Sequence, residues 1–235
     1  MAWNPRALVA GMLLAASAPL LAQSQAPDEN WEGLVRVRSE KIEFVYLAPG
    51  ADFRPYTKVL LEPSEMATKE DWSLTESRGH TSFQRQADER FVILELDRAR
   101  KRFDKDLAEA FAEAGFTVVR HRSADVVRVR PGVFEIEVQT PDGAQVTTSQ
   151  RITLSENAGR ATLVVEVRDS VSNALLGRAV ERTVVGDNGE WRRSTGSNRT
   201  DFHRLFRQWA ETSAEGMAEL KALSPVDVNG ARLAR

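Results

Sequence analysis

Leu96, Ala99, Phe103, Leu107, Ala110, Phe111 and Ala114 recur at spacings of three and four, and this stripe constrains the fold of the chain most. On a helix it forms a single apolar face, which is stable only when another layer covers it. Asp104, Lys105, Asp106, Glu109 and Glu113 fall on the opposite side, and Gly115 follows directly, where helices commonly end in a left-handed residue. The periodicity predicts a helix over about 87–114. Phe116-Thr117-Val118-Val119 then reads as a strand, and the run Lys58-Val59-Leu60-Leu61-Glu62-Pro63 reads as a buried strand ended by proline. A strand, a helix and a strand in that order predict two parallel neighbours, because a parallel pair needs a crossover.

The rest of the chain turns largely to β chemistry. Ile42, Phe44 and Tyr46 have strict period two, and Val127, Val129 and Val133 to Val138 alternate around Pro131-Gly132. Residues 161–169 and 174–185 form the clearest hairpin, with Ser170 to Asn173 as its turn. Phe202, Leu205, Phe206, Trp209, Ser213, Met217 and Leu220 mark a second amphipathic helix over about 201–222, with Thr200 or Asp201 placed to cap it. Residues 67–86 read as a long polar surface excursion. The fold class expected is α+β: a mixed, largely antiparallel sheet packed with two main amphipathic helices. Residues 23–44 read as a flexible leader and first strand region, 45–223 as a single domain, and 224–235 as a loose tail.

The N-terminus predicts export. Arg6 is the only charged residue before Asp28, and Ala7 to Ala16 is apolar, followed by Ser17-Ala18-Pro19-Leu20-Leu21-Ala22. That is the order of a secretory signal peptide over residues 1–22, cut between Ala22 and Gln23. Ala16-Ser17-Ala18 fits the small-x-small rule better, but Pro19 would then follow the scissile bond. An uncleaved membrane anchor is the competing reading, though Gly11 and Pro19 interrupt a stretch short of the roughly 20 apolar residues a span needs. Nothing after it is apolar for long enough to cross a bilayer as a helix. The chain has no cysteine, so it can carry neither a disulfide nor the acylated cysteine of a lipoprotein anchor. A net charge of −2, with both signs interspersed, disfavours nucleic acid as a partner. The location expected is the periplasm or the exterior.

The stretch Tyr46-Leu47-Ala48-Pro49-Gly50-Ala51-Asp52-Phe53-Arg54-Pro55-Tyr56, followed by Val59-Leu60-Leu61-Glu62-Pro63, resembles the opening of a family of bacterial envelope proteins known as domain of unknown function 3313. Gly159 to Leu163, Arg168-Asp169-Ser170 and Leu175 to Ala179 are similar to that family's hairpin, and Phe206 with Trp209-Ala210 fits its closing helix. The resemblance covers roughly residues 45–220. It implies an envelope location and a small α/β fold, and brings no catalytic residues with it. Many relatives carry a lipidated cysteine after the signal, and this chain departs from them there.

Candidate chemistry is sparse. The three histidines, His80, His121 and His203, lack the spacing of zinc sites, and Asp201-x-His203 reads as a helix cap beside a surface imidazole. Ser194-Thr195-Gly196-Ser197 is not a nucleophile elbow and reads as a linking loop. Glu135 with Glu137, and Glu166 with Arg168, alternate onto what reads as the solvated side of a sheet. No phosphate-binding glycine loop occurs. No catalytic residue, metal ligand or cofactor site is therefore expected, and no cofactor. Trp31, Trp72 and Trp191 fall in or beside loops, where a large amphipathic ring can anchor a partner. The sequence thus points to a non-enzymatic envelope protein that contacts a protein or an envelope polymer. An envelope hydrolase with a dispersed site, or a small-molecule carrier with an enclosed apolar pocket, stays open as an alternative.

Overall fold

Period-two alternation in three long strands decides which side of the sheet meets the helices. The computed structural model describes residues 30–69, 82–138, 154–155, 158–186, 191–192 and 195–225. In chain order the strands are β1 (Asn30–Trp31), β2 (Leu34–Val37), β3 (Phe44–Leu47), β4 (Lys58–Leu61), β5 (Glu65–Thr68), β6 (Thr117–Val118), β7 (Val126–Val138), β8 (Leu154–Ser155), β9 (Gly159–Asp169), β10 (Leu175–Val185) and β11 (Trp191–Arg192). The helices are α1 (Ser82–Glu113), between β5 and β6, and α2 (Thr195–Leu223), after β11. Nine strands form one sheet in the order β1-β2-β3-β10-β9-β7-β4-β6, with β5 pairing β7 beyond β4, while β8 and β11 pair apart from it. The expected α+β class, two helices on a mixed and mostly antiparallel sheet, is what the chain adopts.

The parallel part is the predicted one. Lys58 and Val59 of β4 face Thr117 and Val118 of β6 in parallel, with α1 as the crossover. β7 runs parallel to β4 on one side and antiparallel to β9 on the other. It passes straight through Pro131-Gly132, where alternation alone would have broken it. Pro131, which has no N–H to donate, stands where β4 has ended at Leu61 and β5 has not begun at Glu65.

Val127, Val129 and Val133 of β7, Leu163, Val165 and Val167 of β9, and Leu47 and Val37 pack in one core with Phe103, Leu107, Phe111, Phe206 and Trp209 of the helices. The Phe103 and Phe206 rings meet at 5.7 Å, and Phe206 stacks on Trp209 at 5.9 Å. The helices run parallel. Glu95 near the middle of α1 pairs with Arg199 in the first turns of α2, Phe103 meets Phe206 further along both, and Ala114 lines one groove with Ala218 toward their ends. Gly115, with φ 89°, ends α1 as expected: Phe116 N–H donates to the Phe111 carbonyl, Gly115 N–H to that of Ala112, and the rings of Phe111 and Phe116 touch at 5.8 Å.

Three expectations are corrected. α1 starts at Ser82, and β5 occupies Glu65–Thr68, so the excursion over 67–86 is shorter at both ends. The first turns of α1 contain good helix formers but no apolar stripe, which hid them from periodicity. Likewise α2 starts at Thr195, so Thr200 and Asp201 lie inside the helix and do not cap it.

Candidate functional site

The segment that carries the family resemblance is used in holding the fold. Phe53 and Tyr56 are buried beneath the end of α2. Ser224 Oγ accepts from Phe53 N–H at 2.9 Å and donates to the Leu220 carbonyl, while Lys221 Nζ donates to the Tyr56 carbonyl at 2.7 Å. The Tyr56 hydroxyl donates to Asp169 Oδ2 at 2.9 Å; burial and that carboxylate push the phenol above its ordinary range. Asp169 Oδ1 in turn accepts from the backbone N–H groups of Val171 and Ser172 and shapes the β9–β10 turn, where Asn173 takes a φ of 63°. A shallow groove of about 480 Å³ opens beside the end of α2, between Arg54, Ala114, Phe116, Ala218 and Lys221. Its cations are engaged: Arg54 with Asp52 at 2.5 Å, and Lys221 with the Tyr56 carbonyl and, at 5.5 Å, the Phe116 ring.

The other face of the sheet is organised differently. Leu34, Tyr46 and Val180 are buried but stand outside the helix-packed core, in the opposite register class. In one cross-sheet row Arg130 of β7, Glu166 of β9, Arg178 of β10, Tyr46 of β3 and Arg36 of β2 lie side by side. From that row a continuous chain of polar contacts spreads. Glu65 pairs with Arg130 at 2.5 Å, Arg130 with Glu62 at 4.0 Å, and Glu62 with Arg128 at 3.3 Å. Arg128 donates to the Asn173 side chain and Arg168 to its carbonyl. Glu166 accepts from Arg168 at 2.5 Å and from Arg178 at 2.7 Å, and Arg178 reaches across β3 to Glu32 at 3.0 Å. Glu32 sits with Gly33 at a two-residue turn, both at positive φ.

Four arginines and four glutamates balance there. The expectation that Glu166 and Arg168 stand on a freely solvated face is corrected: the side chains of Glu166 and Arg178 are 14% and 12% exposed. Burial alone raises the Glu166 carboxyl, but the hydrogen bonds from Arg168 and Arg178 outweigh it and hold it below its ordinary range. Glu135 and Glu137 both reach the β9 row of Thr162 and Arg160. A bulge between Phe134 and Glu137, with Glu135 at φ 52°, interrupts the regular alternation there. Glu135 accepts from Thr162 Oγ1 at 2.7 Å, and Glu137 pairs with Lys69 and Arg160.

Trp31 and Trp191 lie in β1 and β11, and Trp72, His80, Ser194, Ala22 and Gln23 lie outside the described residues. His121 is exposed after β6. His203 is half-buried on α2; desolvation, then Arg102 and Arg199, push its pKa down against the pull of Asp106 and Glu95. Among the described residues no three His, Cys, Asp or Glu side chains gather closely enough for a metal, and no helix is long and apolar enough to cross a membrane. The charged row escaped sequence reading, although Arg128-x-Arg130 and Glu166-x-Arg168 carried its signal as charges at period two.

These features define an α+β domain with two parallel helices on one face of its sheet and an ion-pair network on the other. Residues 29–213 match the family model DUF3313, protein of unknown function, and the chain belongs to that family. No curated protein matches it. Among solved structures, a PelC dodecamer from Paraburkholderia phytofirmans is similar at 13% identity, TM-score 0.34, covering 72% of this chain and 96% of that one. A Xanthomonas campestris protein under the DUF330 family model is similar at 9%, TM-score 0.37, covering 74% and 88%. A Helicobacter pylori putative neuraminyllactose-binding hemagglutinin homolog is similar at 11%, TM-score 0.31, covering 73% and 86%. Likenesses this distant transfer no function.

Proposed function

We propose that the protein is exported to the cell envelope and works there by contact, with the helix-free sheet face meeting another protein or an envelope polymer. The observation that carries the contact reading is the ion-pair chain from Glu65 to Glu32. It fixes eight long side chains, from four strands, the end of β4 and the β1–β2 turn, before any partner arrives, and so removes ordering cost from binding. Export rests on the basic Arg6, the apolar run after it and the small-residue exit at Ala22.

Two measurements test it. Fractionation with intact-mass analysis is expected to give a soluble periplasmic or secreted chain beginning at or near Gln23; a full-length cytoplasmic chain overturns export. Affinity capture from envelope extract is expected to recover a partner that Arg130→Glu weakens and Lys105→Glu does not. Arg130 lies on the proposed face, and Lys105 is an exposed residue of α1. Equal recovery with both variants overturns the contact face.

A further inference from the structure

One corner of this face carries charge that the network does not balance. The ion-pair chain runs along β10 only as far as Arg178. The next residues of that register class are Val180, Arg182 and Val184, and Val184 is 46% exposed. Val180 stands directly opposite Phe44 of β3. The Arg36 guanidinium lies 4.7 Å from the Phe44 ring centroid and that of Arg182 lies 5.7 Å from it, so one phenyl is flanked by two cations. Both arginines are exposed, and neither takes part in an ion pair among the described residues. Of the acids near these arginines, Glu32 pairs with Arg178, Glu40 lies beyond the end of β2, Glu135 accepts from Thr162 opposite Arg182, and Glu181 belongs to the opposite register, its carboxylate accepting from Glu43 N–H at 2.7 Å.

We infer that Arg36, Phe44 and Arg182 form a docking site for an acidic, extended segment of a partner protein; this deepens the contact reading and rests on it. Each guanidinium offers a planar fork of donors that suits a carboxylate. Because each lies within 5.7 Å of one ring centroid, the two are close enough to be met by carboxylates at i and i+2 of an extended strand, about 7 Å apart. Phe44, with Val180 directly opposite it, supplies the apolar floor that interface cores combine with arginine. Charge complementarity selects a peptide over a membrane. An anionic bilayer would press its whole plane against the face, including Glu62, Glu65 and Glu32, whereas a single strand meets the arginine corner alone.

The test uses the full mature chain and fluorescence anisotropy with a labelled peptide of alternating glutamate and alanine. An alternating lysine and alanine peptide and phosphatidylglycerol vesicles serve as the other arms. Saturable, salt-sensitive binding of the acidic peptide is expected, weakened roughly tenfold or more by Arg36→Ala with Arg182→Ala. Lys105→Ala should leave it unchanged, and equal thermal midpoints show that the double variant folds. Undiminished peptide binding in the double variant, or binding to vesicles but not to peptide, overturns the site. If capture of the envelope partner is weakened by Arg130→Glu but not by the arginine pair, the docking corner fails while the contact reading stands. If neither affects capture, both fail.

Discussion

Gly159 opens β9 at a point where two backbones nearly touch. Its φ is +142°, and a Cβ placed there would overlap the Glu137 carbonyl of the neighbouring strand. Left-handed strain and a backbone clash act together, with no flexible neighbour to yield. Gly159→Ala is therefore expected to lower stability by about 3 kcal/mol or more, read as a drop in the urea midpoint; an unchanged midpoint would mean that the strand end shifts freely. Gly132 differs, because the clashing atoms there are the far end of the Phe134 ring, which can swing away. Sequence marks the two glycines alike, since the distinction lies in which strand is adjacent. Glu166 illustrates the same limit. Its alternation was legible, but its burial depends on Arg168 and Arg178 closing over it from its own strand and from β10.

The two long helices lie parallel, so both negative C-terminal ends fall at the same end of the fold, and isolated from cations they would repel. Lys221, over the Phe116 ring and bonded to the Tyr56 carbonyl, offsets that repulsion. Ser224 does a different job: it satisfies the buried N–H of Phe53. Lys221→Met is expected to cost about 1 kcal/mol through the helix ends, and Ser224→Ala about 1–3 kcal/mol through an unsatisfied buried donor. Amide exchange separates the two effects, since the Phe53 amide should lose protection selectively in Ser224→Ala. Equal behaviour of that amide in both variants would refute this division of labour. At this scale, elements with a stripe or an alternation were legible in the sequence: α1 from Leu96 onward, the β9–β10 hairpin, and β4 with its parallel partner β6. β5, the passage of β7 through Pro131 and the first turns of both helices were not. β5 and β7 exist because a neighbouring strand accepts their backbone groups, and the helix starts carry no apolar stripe.

Across the whole molecule the sheet divides its labour, with one face given to the helix core and the other to paired charge, and this division gives stability a two-step dependence on pH. On the helix side, His203 has a folded pKa below its ordinary 6.5, chiefly through desolvation, then through Arg102 and Arg199, with Asp106 and Glu95 opposing. The unfolded chain binds that proton more readily, so stability declines as pH drops below 6.5 and levels once the folded imidazole is also protonated. On the sheet and its loops, carboxylates are held below their ordinary values. Asp125 falls to about 2, chiefly through Lys58, while hydrogen bonds from Arg168 and Arg178 carry Glu166 down and those from Ser172 carry Asp169 down. Their contribution is complete above the ordinary carboxylate range and is lost as pH falls from about 4 toward about 2. Urea midpoints measured from pH 8 to pH 2 should therefore fall in two windows. His203→Gln should remove the upper one and leave the lower, whereas Lys58→Met should shift the Asp125 carboxyl upward by NMR and leave the upper intact. A decline below pH 6.5 that survives His203→Gln would show that the helix-side imidazole is not its source, and would break the link between the desolvated α1–α2 seam and stability near neutral pH.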